Sequence, residues 1–257
     1  MSTKYILKKN TLGFYEVEPK PNKGELNKYY SEKYYQNNHS TYEKNYSDEE
    51  LTYFSVEAEI ALRTLNKFSS CFSKNLLDLG CGEGFFANYF YNLGWEVKCV
   101  DFSKDGLLRH NPSLISKFIE SDLLSYLDTL DASEIEFGLV NLDNVLEHVI
   151  NPIGLLTLIK EKINKNTFVR IEVPNDFSGF QSLLVERGCT KRTWISPPEH
   201  LSYFNKDSFL RLLKFVGFNV RSLQADFPIE QFILNEHSNY SKNKKFGKSA
   251  HTSRVII

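Results

Sequence analysis

Residues 76–84 read Leu76-Leu77-Asp78-Leu79-Gly80-Cys81-Gly82-Glu83-Gly84, a short apolar segment that leads into a loop with glycine at every second position. The following residues, 85–94, have a helix-like pattern and end in Gly94, where a C-capping glycine is typical. A strand, a glycine-rich loop and a helix N-terminus in this order form a cradle for a nucleoside-type cofactor. The loop therefore indicates what kind of ligand the protein binds, although not yet which one.

A glycine-rich loop alone is weak evidence for a cofactor, since such loops also occur at ordinary turns. Two acidic residues near the loop narrow the choice of ligand. Asp101 follows the next apolar segment about 20 residues after the loop, where an acidic side chain meets ribose hydroxyls in βαβ nucleotide sites. Asp78 stands at the mouth of the loop, where its carboxylate would repel a dinucleotide pyrophosphate but suit a cofactor with an ammonium group. The Gly-x-Gly-x-Gly spacing also disfavours a nucleotide-dependent oxidoreductase.

Segment 78–84, followed by Val100-Asp101-Phe102-Ser103, resembles the class I S-adenosylmethionine-dependent methyltransferases, and the match covers about residues 55–227. The resemblance implies that Gly80, Gly82 and Gly84 lie against the methionine portion of S-adenosylmethionine. It implies that Asp101 holds the ribose hydroxyls, that Asp122 bonds the adenine amino group and that Leu123 packs on the ring. The remaining residues assigned to the cofactor site are Asp78, Cys81, Phe102, Asn144, Tyr34 and Tyr35. The product would be S-adenosylhomocysteine.

Three later segments indicate a branch of this family. Residues 137–149 contain Val145-Leu146-Glu147-His148, which resembles the "VLEH" segment of the small-molecule branch that includes ubiquinone-type and sugar methyltransferases. Residues 197–204 contain a further histidine, and a helix and a Gly217-Phe218 turn follow in the order typical of that branch. The resemblance therefore implies a small-molecule acceptor.

Composition and charge exclude several other classes. A chain of 257 residues with 41% hydrophobic residues fits one elaborated domain with a real core. A formal net charge of −1 gives no field that would attract a phosphate backbone, so we predict no nucleic-acid partner. No segment approaches the roughly 18 apolar residues of a membrane span, and the N-terminus lacks a signal-peptide pattern. We therefore predict a cytoplasmic protein without a membrane span.

Apolar segments alternate with helical ones through the middle of the chain. Strands are predicted near residues 75–79, 95–100, 117–120, 137–142 and 167–173, with further helices over 48–68 and 152–162. This alternation predicts an α/β fold with a doubly wound, mostly parallel, Rossmann-like sheet and helices on both faces. A sixth strand is predicted at residues 219–226.

The two ends of the chain are predicted to elaborate this core. Residues 1–24 suggest a hairpin or an extended arm, and the tyrosine-rich residues after them a helical cap, or else a packed helix with tyrosine rings as filler. The predicted domains are an N-terminal arm and cap (1–54), the methyltransferase core (55–227) and a C-terminal extension (228–257). For the family's seventh strand, we expect either a reduced strand at 231–235 or a truncated chain. An exposed apolar terminus would then favour a homodimer.

Histidines are the candidate general bases. Methyl transfer from a sulfonium is an in-line displacement, and a hydroxyl nucleophile usually also needs a base within hydrogen-bond reach. His200, in a segment expected to face the substrate, is the first candidate. His148, expected at the start of a helix after the fourth strand, is the second, with a structural role as the alternative. Asp143, Glu147 and the two histidines form an alternative set of cation ligands, but ordinary loop residues give the same set, and we assign no metal.

The leading hypothesis is an enzyme that transfers a methyl group from S-adenosylmethionine to a small polar acceptor. The preferred acceptor is a hydroxyl of a sugar, a nucleotide-linked sugar or a surface-polysaccharide precursor. One alternative is an aromatic or quinone-precursor O-methyltransferase. An alternative of another class is a non-catalytic scaffold that binds the cofactor.

Overall fold

The computed structural model describes residues 4–22, 24–26, 28–29, 45–69, 71–131 and 136–256. Tyr34 and Tyr35, and with them most of the predicted tyrosine-rich cap, lie outside the described residues.

Five parallel strands form the central sheet in the order β5-β4-β3-β6-β7. The strands are β3 (Asn75–Leu79), β4 (Glu96–Asp101), β5 (Phe118–Glu120), β6 (Leu139–Asp143) and β7 (Phe168–Glu172). The chain builds the sheet outward from β3 in one direction and then from β6 in the other, so the topological switch point lies between these two strands. The predicted doubly wound α/β sheet is confirmed.

Helices cover both faces of the sheet. They are α1 (Asp48–Phe68), α2 (Phe85–Asn92), α3 (Asp105–His110), α4 (Leu123–Thr129), α5 (Pro152–Lys162), α6 (Gly179–Glu186), α7 (Lys206–Val216) and α8 (Gly247–Ile256). Helix α1 has the bounds predicted from the sequence, because Ser47 and Glu50 form a reciprocal capping box at its N-terminus. Every helix of the described residues is too short or too polar to span a membrane.

The side chains of β3 point alternately to the two faces of the sheet, and each face has its own part of the hydrophobic core. Leu77 and Leu79 point to one face, where they pack in a cluster that includes buried residues of α4, α5 and α7. Leu76 points to the other face, into a cluster with buried residues of α1, α2 and α3. Asp78 shares the face of Leu76, so a carboxyl group lies on the α1 and α2 side of an otherwise apolar strand.

A small antiparallel sheet joins the N-terminus to the segment after β7. Strands β1 (Ile6–Lys9) and β2 (Tyr15–Glu18) form the hairpin that the sequence suggested, and β2 pairs with β8 (Ser202–Tyr203). Tyr15 pairs with Tyr203, and the Val17 N–H donates to the Leu201 carbonyl at 2.9 Å. The hairpin therefore fixes the segment that carries His200.

Two strand predictions near the C-terminus are wrong. Residues 219–226 are not a strand, and residues 231–235 fall mainly in a 3-10 helix (Ile229–Leu234). Residues 219–226 and the edge strand β7 both line a cavity of about 2520 Å³, and the segment pairs with no strand of the described residues. Its side chains bind helices instead: Gln224 donates to Thr64 at 3.0 Å, and Asp226 accepts from Tyr53 at 2.8 Å. Strand-like composition cannot make a strand when no neighbouring edge is within reach.

Candidate cofactor and acceptor site

The glycine loop turns at the carboxyl end of β3. The Gly80 N–H donates to the Val100 carbonyl at 2.7 Å, and the Gly84 N–H donates to the Cys81 carbonyl at 2.8 Å. Gly80 has a φ of 76°, and a Cβ there would lie 2.4 Å from Cγ2 of Val145. A side chain at this position would be strained and would also clash, so the loop requires glycine and remains a cradle that a cofactor can approach closely.

Asp101, at the end of β4, binds the glycine loop through hydrogen bonds. Its Oδ2 accepts from the Gly82 N–H at 2.9 Å and its Oδ1 from the Ser103 N–H at 3.2 Å. The side chain is 4% exposed, and burial raises its pKa despite the hydrogen bonds from backbone N–H groups. Because a carboxylate offers about four acceptor positions, Asp101 has capacity for a further donor such as a ribose hydroxyl.

Asp78 belongs to a buried ladder of polar side chains that crosses three strands. Asn141 donates to Asp78 at 2.7 Å, and Arg170 donates both to Asn141 and to Asp143 at 2.9 Å. Arg170 also forms an ion pair with Glu172. Burial, which leaves Asp78 2% exposed, is the main cause that raises its pKa to about 7. Sequence reasoning missed Arg170, because only the strand register places it beside Asn141.

Asp122 and Leu123, which were assigned to the adenine, lie at the same sheet edge as the loop, and the assigned cofactor residue Phe102 lies beside them. Phe102, which follows β4, is 44% exposed and presents an apolar ring. Asp122 is the N-cap of α4, where its Oδ1 accepts from the Leu124 N–H at 2.9 Å and the Ser125 N–H at 3.1 Å. Leu123 is half-buried. The structure therefore brings these assigned residues together beyond β4 and β5.

The two remaining assigned residues flank the switch point. Cys81 is buried in the loop, where a hydrogen bond with Cys99 and then burial raise the pKa of its thiol. Asn144 follows β6 with a φ of 51°, and its N–H donates to the Glu172 carbonyl at 3.1 Å. The buried thiol of Cys81, with its raised pKa, indicates a packing role, and the left-handed backbone of Asn144 indicates a role in the shape of the loop.

A cluster of side chains around Tyr46, which the sequence did not predict, packs against the other side of the glycine loop. The Tyr46 hydroxyl donates to Oε1 of Glu83 at 2.6 Å, and Nε2 of His110 lies 3.6 Å from the same oxygen. The Tyr46 ring packs edge-on against Phe54 and Phe85 at 5.3 Å. The high tyrosine content of the N-terminal region was visible in the sequence, but only the fold places Tyr46 beside Glu83.

The two candidate bases lie side by side. The rings of His148 and His200 meet edge to face, with centroids 4.8 Å apart. Nδ1 of His148 lies 2.7 Å from the Glu199 carbonyl, which can only accept, so Nδ1 carries the proton and Nε2 has the lone pair of the neutral ring. His200 lines the large cavity, together with Asn144 and other residues.

The predicted helix that begins near His148 is absent, and the residue lies in a turn. The carbonyl of Glu147 accepts from the N–H groups of Leu201 and Ser202, at 2.8 Å and 3.1 Å. A helix would need this carbonyl for the residue four positions later. Contact with the segment before and within β8 therefore replaces the helical hydrogen bond.

Two carboxyl groups near the histidines are buried, which the sequence did not show: Glu147, named there only as an alternative cation ligand, and Asp176, which was not singled out. Glu147 is 1% exposed, and burial is the main cause that raises its pKa to about 8. Asp176, in the segment after β7, is also buried, and its pKa is raised to about 7, mainly by burial. A buried carboxyl looks like any loop carboxyl in a sequence, so no local signal would have found these two.

One donor atom each from Glu147, His148 and His200 lies within 4.8 Å of the others, a spacing that one cation or a proton network can bridge. Asp143, the fourth residue of the alternative cation set, pairs instead with Arg170 at 2.9 Å. Tyr203 is buried, and its hydroxyl donates to the His200 carbonyl at 3.0 Å. Tyr203 thus supports His200.

Comparisons with known proteins identify the family. A family model described as a methyltransferase domain matches residues 53–223. The ubiquinone biosynthesis O-methyltransferase of Glaesserella parasuis is 25% identical over 187 residues, which cover 65% of this chain and 78% of that protein.

Solved structures share the fold. The 1,6-didemethyltoxoflavin-N1-methyltransferase of Burkholderia thailandensis has a TM-score of 0.53 at 17% identity, covering 82% of this chain and 86% of the other. The plantazolicin methyltransferase BamL has a TM-score of 0.51 at 15% identity, covering 91% and 84%. Since the family model spans more than half of the chain, which carries the glycine loop and Asp101 expected for S-adenosylmethionine, the chain belongs to the methyltransferase-domain family and is an S-adenosylmethionine-dependent methyltransferase.

Proposed function

We propose that the protein methylates a hydroxyl group of a small polar acceptor, with His200 as the general base. The observation that carries this proposal is the position of His200 on the wall of a large cavity that runs along the edge strand β7 and reaches the residues after the carboxyl ends of β6 and β7. The cavity reaches the cofactor side of the sheet through Asn144, which follows β6. An acceptor in it would lie between the cofactor and a base.

The reaction requires little more than alignment and one proton transfer. The acceptor oxygen forms a bond to the methyl carbon while the carbon–sulfur bond breaks, and the hydroxyl proton passes to His200. Alignment of the two reactants can contribute about 7 to 11 kcal/mol, and a positioned base about 10²- to 10⁴-fold. S-adenosylhomocysteine leaves as a neutral thioether, so the protein does not need to stabilise a new charge on the cofactor.

The proposed cofactor contacts follow the layout of the sheet edge. Asp101 would accept from the ribose hydroxyls, Asp122 would accept from the adenine amino group, and Phe102 and Leu123 would pack on the ring. The methionine portion would lie against the loop and its neighbours, which are Asp78, Gly80, Cys81, Gly82, Gly84 and Asn144. Tyr34 and Tyr35 remain proposed contacts from the N-terminal segment.

Polar groups on one part of the cavity wall support a sugar, a nucleotide-linked sugar or a polysaccharide precursor as the acceptor. Besides His200, this part of the wall includes Asp176, Ser178, Trp194 and Ser196. Carboxyl and hydroxyl groups together with an indole ring are suited to a polyhydroxylated ring, which presents donors at its edge and an apolar face. A cytoplasmic location, the lack of a nucleic-acid partner and a homodimer remain proposals from the sequence.

A second candidate acceptor is an aromatic or quinone-precursor hydroxyl. The relative from Glaesserella parasuis, a ubiquinone biosynthesis O-methyltransferase, favours it, as does the edge-on contact of Phe177 with Trp194 at 5.6 Å. An aromatic acceptor would stack on Trp194 in place of a sugar.

One experiment separates these acceptors. The purified protein is incubated with methyl-labelled S-adenosylmethionine and either nucleotide-linked sugars or catechol-type phenols, and labelled products are identified by mass spectrometry. We expect label in a sugar hydroxyl. Label only in the phenols would establish the second candidate. Tight S-adenosylhomocysteine binding without transfer to either pool would instead support a scaffold.

A further inference from the structure

Glu147 is joined to the segment that carries His200 through its backbone. Its carbonyl accepts from the N–H groups of Leu201 and Ser202 at 2.8 Å and 3.1 Å. Because Leu201 directly follows His200, these bonds fix the distance between the two residues even though they are far apart in the sequence. The juxtaposition of Glu147 and His200 is therefore built into the fold.

The side chain of Glu147 is almost completely buried. It is 1% exposed, and neither carboxyl oxygen has a hydrogen-bond partner among the described residues. Burial of a carboxyl group without a partner costs free energy, and nearly all such groups in proteins are satisfied. An unsatisfied buried carboxyl at a reaction site indicates that its partner is a charge or a donor that forms during function.

Two imidazoles lie close to the Glu147 carboxyl group, and Nε2 of His148 is 3.8 Å from its Oε1. A carboxyl oxygen of Glu147 and one nitrogen each from His148 and His200 lie within 4.8 Å of one another. His148 is already oriented by the Glu199 carbonyl. His200 lines the cavity, whereas Glu147 is not among the cavity-lining residues of the described chain. His200 therefore lies between the acceptor cavity and the buried carboxyl.

Other titratable groups face Glu147 from the elements packed around it. They are His148 on its own turn, His200 before β8, Asp176 after β7, Asp143 at the end of β6 and Glu172 on β7. The three carboxyl groups oppose ionisation of Glu147, so a positive charge on an adjacent imidazole is the change that would stabilise its charged form.

We propose that Glu147 is the positioning residue for the general base: it orients the imidazole of His200 and stabilises the imidazolium that forms when His200 accepts the acceptor's proton. This inference rests on the proposed function. At a pH above the raised pKa of Glu147 its carboxyl group is ionised, and the hydroxyl proton that moves to a ring nitrogen of His200 then creates a positive charge beside the Glu147 carboxylate. The proton then leaves to solvent through the cavity. A carboxylate that supports a histidine in this way is a recurring arrangement in base catalysis.

The test uses Glu147→Gln, which keeps the size and polarity of the side chain but removes its charge. We expect kcat to fall about 10-fold or more, with the KM for the acceptor and the affinity for S-adenosylmethionine unchanged. The acid limb of the kcat profile should move to lower pH, because the imidazolium loses its counter-charge. Glu161→Gln, an exposed substitution on α5, is the matched control and should change none of these.

A second measurement does not depend on the acceptor. In the full-length protein with labelled histidine imidazoles, NMR titration should show His200 losing its proton at lower pH in Glu147→Gln than in the wild type. If Glu147→Gln does not fold, Glu147→Asp, which shortens the reach by one methylene, should move the His200 titration in the same direction.

The outcomes separate the two proposals. If His200→Gln keeps full turnover while Glu147→Gln moves the His200 titration, the base assignment fails but the pairing stands. If His200→Gln is inactive while Glu147→Gln changes neither the titration nor kcat, the pairing is wrong. Binding of Mn²⁺ or Zn²⁺ by the wild type that Glu147→Gln abolishes would also overturn it, because Glu147 would then serve a cation.

Discussion

Val145 packs directly against Gly80, and Cγ2 of Val145 lies 2.4 Å from the position that a Cβ on Gly80 would occupy. Gly80 opens the glycine loop, and the Val145 carbonyl accepts from the His148 N–H at 3.0 Å. This contact joins the cofactor loop to the turn that carries His148, and the Glu147 carbonyl in that turn binds the segment directly after His200. The distance between the cofactor and the proposed base is therefore set by a contact between the ends of two adjacent strands.

Gly80→Ala should test this contact. We expect weaker binding of S-adenosylhomocysteine and a lower melting temperature, because the new methyl group must displace Val145. The matched control is Gly94→Ala, since Gly94 has a φ of 77° and nothing within 4 Å of its virtual Cβ. In both variants an alanine must adopt a left-handed backbone conformation, which costs about 1 to 2 kcal/mol. Only in Gly80→Ala does the new methyl group also clash with Val145. Calorimetric titration that shows equal binding in the two variants would contradict the assigned role of Val145.

Asp101→Ala should weaken cofactor binding. The loss of charge-assisted hydrogen bonds, about 1.5 to 3 kcal/mol each, predicts a dissociation constant at least about tenfold higher. Part of this loss would come from the loop, because the Gly82 N–H also loses its acceptor. Asp207→Ala, on the exposed first turn of α7, is the control. Unchanged affinity for S-adenosylhomocysteine would refute the ribose assignment.

His200→Gln should reduce turnover while cofactor affinity is retained. For a hydroxyl acceptor, the loss of the base predicts a fall of about 10²- to 10⁴-fold in kcat. His148→Gln should have a smaller effect, because the Glu199 carbonyl holds that ring in a fixed orientation. His237→Gln is the control, since its side chain is 86% exposed. Initial rates across pH decide the question, and an unchanged profile for His200→Gln would exclude it as the base.

The stability of the free protein should fall as the pH rises from about 4 to about 7. The carboxyl of Asp78 has an ordinary pKa of 3.8, and burial is the main cause that raises it to about 7 in the folded state. Between these values the unfolded chain ionises while the folded chain keeps its proton. The contribution of Asp78 to the free energy of unfolding is therefore fully present below the lower pKa and lost as the pH passes the upper one.

Asp78→Asn should flatten this dependence, because the amide oxygen can still accept from Asn141 but does not titrate. Urea unfolding at several pH values measures the effect, and Asp207→Asn is the exposed control. Glu147 and Asp176, whose pKa values are also raised, leave part of the slope in place. An unaltered slope in Asp78→Asn would show that Asp78 is ionised in the folded protein.

Features that depend on neighbours in sequence were predictable. The capping box of Ser47 and Glu50 sets the start of α1, and the predicted helix over residues 48–68 has the observed bounds. The apolar segment before Gly80 forms β3 with the predicted bounds, because a buried central strand needs only its own side chains and two partners. The resemblance to class I methyltransferases rested on such local signals, and it is confirmed.

Features that depend on distant partners were not predictable. Residues 219–226 have the composition of a strand but pair with no strand of the described residues, and the turn at His148 replaces a helix because the N–H groups of Leu201 and Ser202 bind the Glu147 carbonyl. Arg170 and Asp176 gave no signal in the sequence, since their roles arise from strand register and burial.

The sequence by itself determined the central sheet, the glycine loop and the identity of the cofactor. The glycine spacing and the acidic residues at the strand ends are short-range sequence features, and they all indicate the same ligand. The tertiary structure decided which side chains line the cavity that we propose for the acceptor. The proposed pairing of Glu147 with His200 depends on hydrogen bonds between segments about 50 residues apart, and such contacts follow from packing. Burial then sets the pKa of each carboxyl group, and burial is a property of the folded chain.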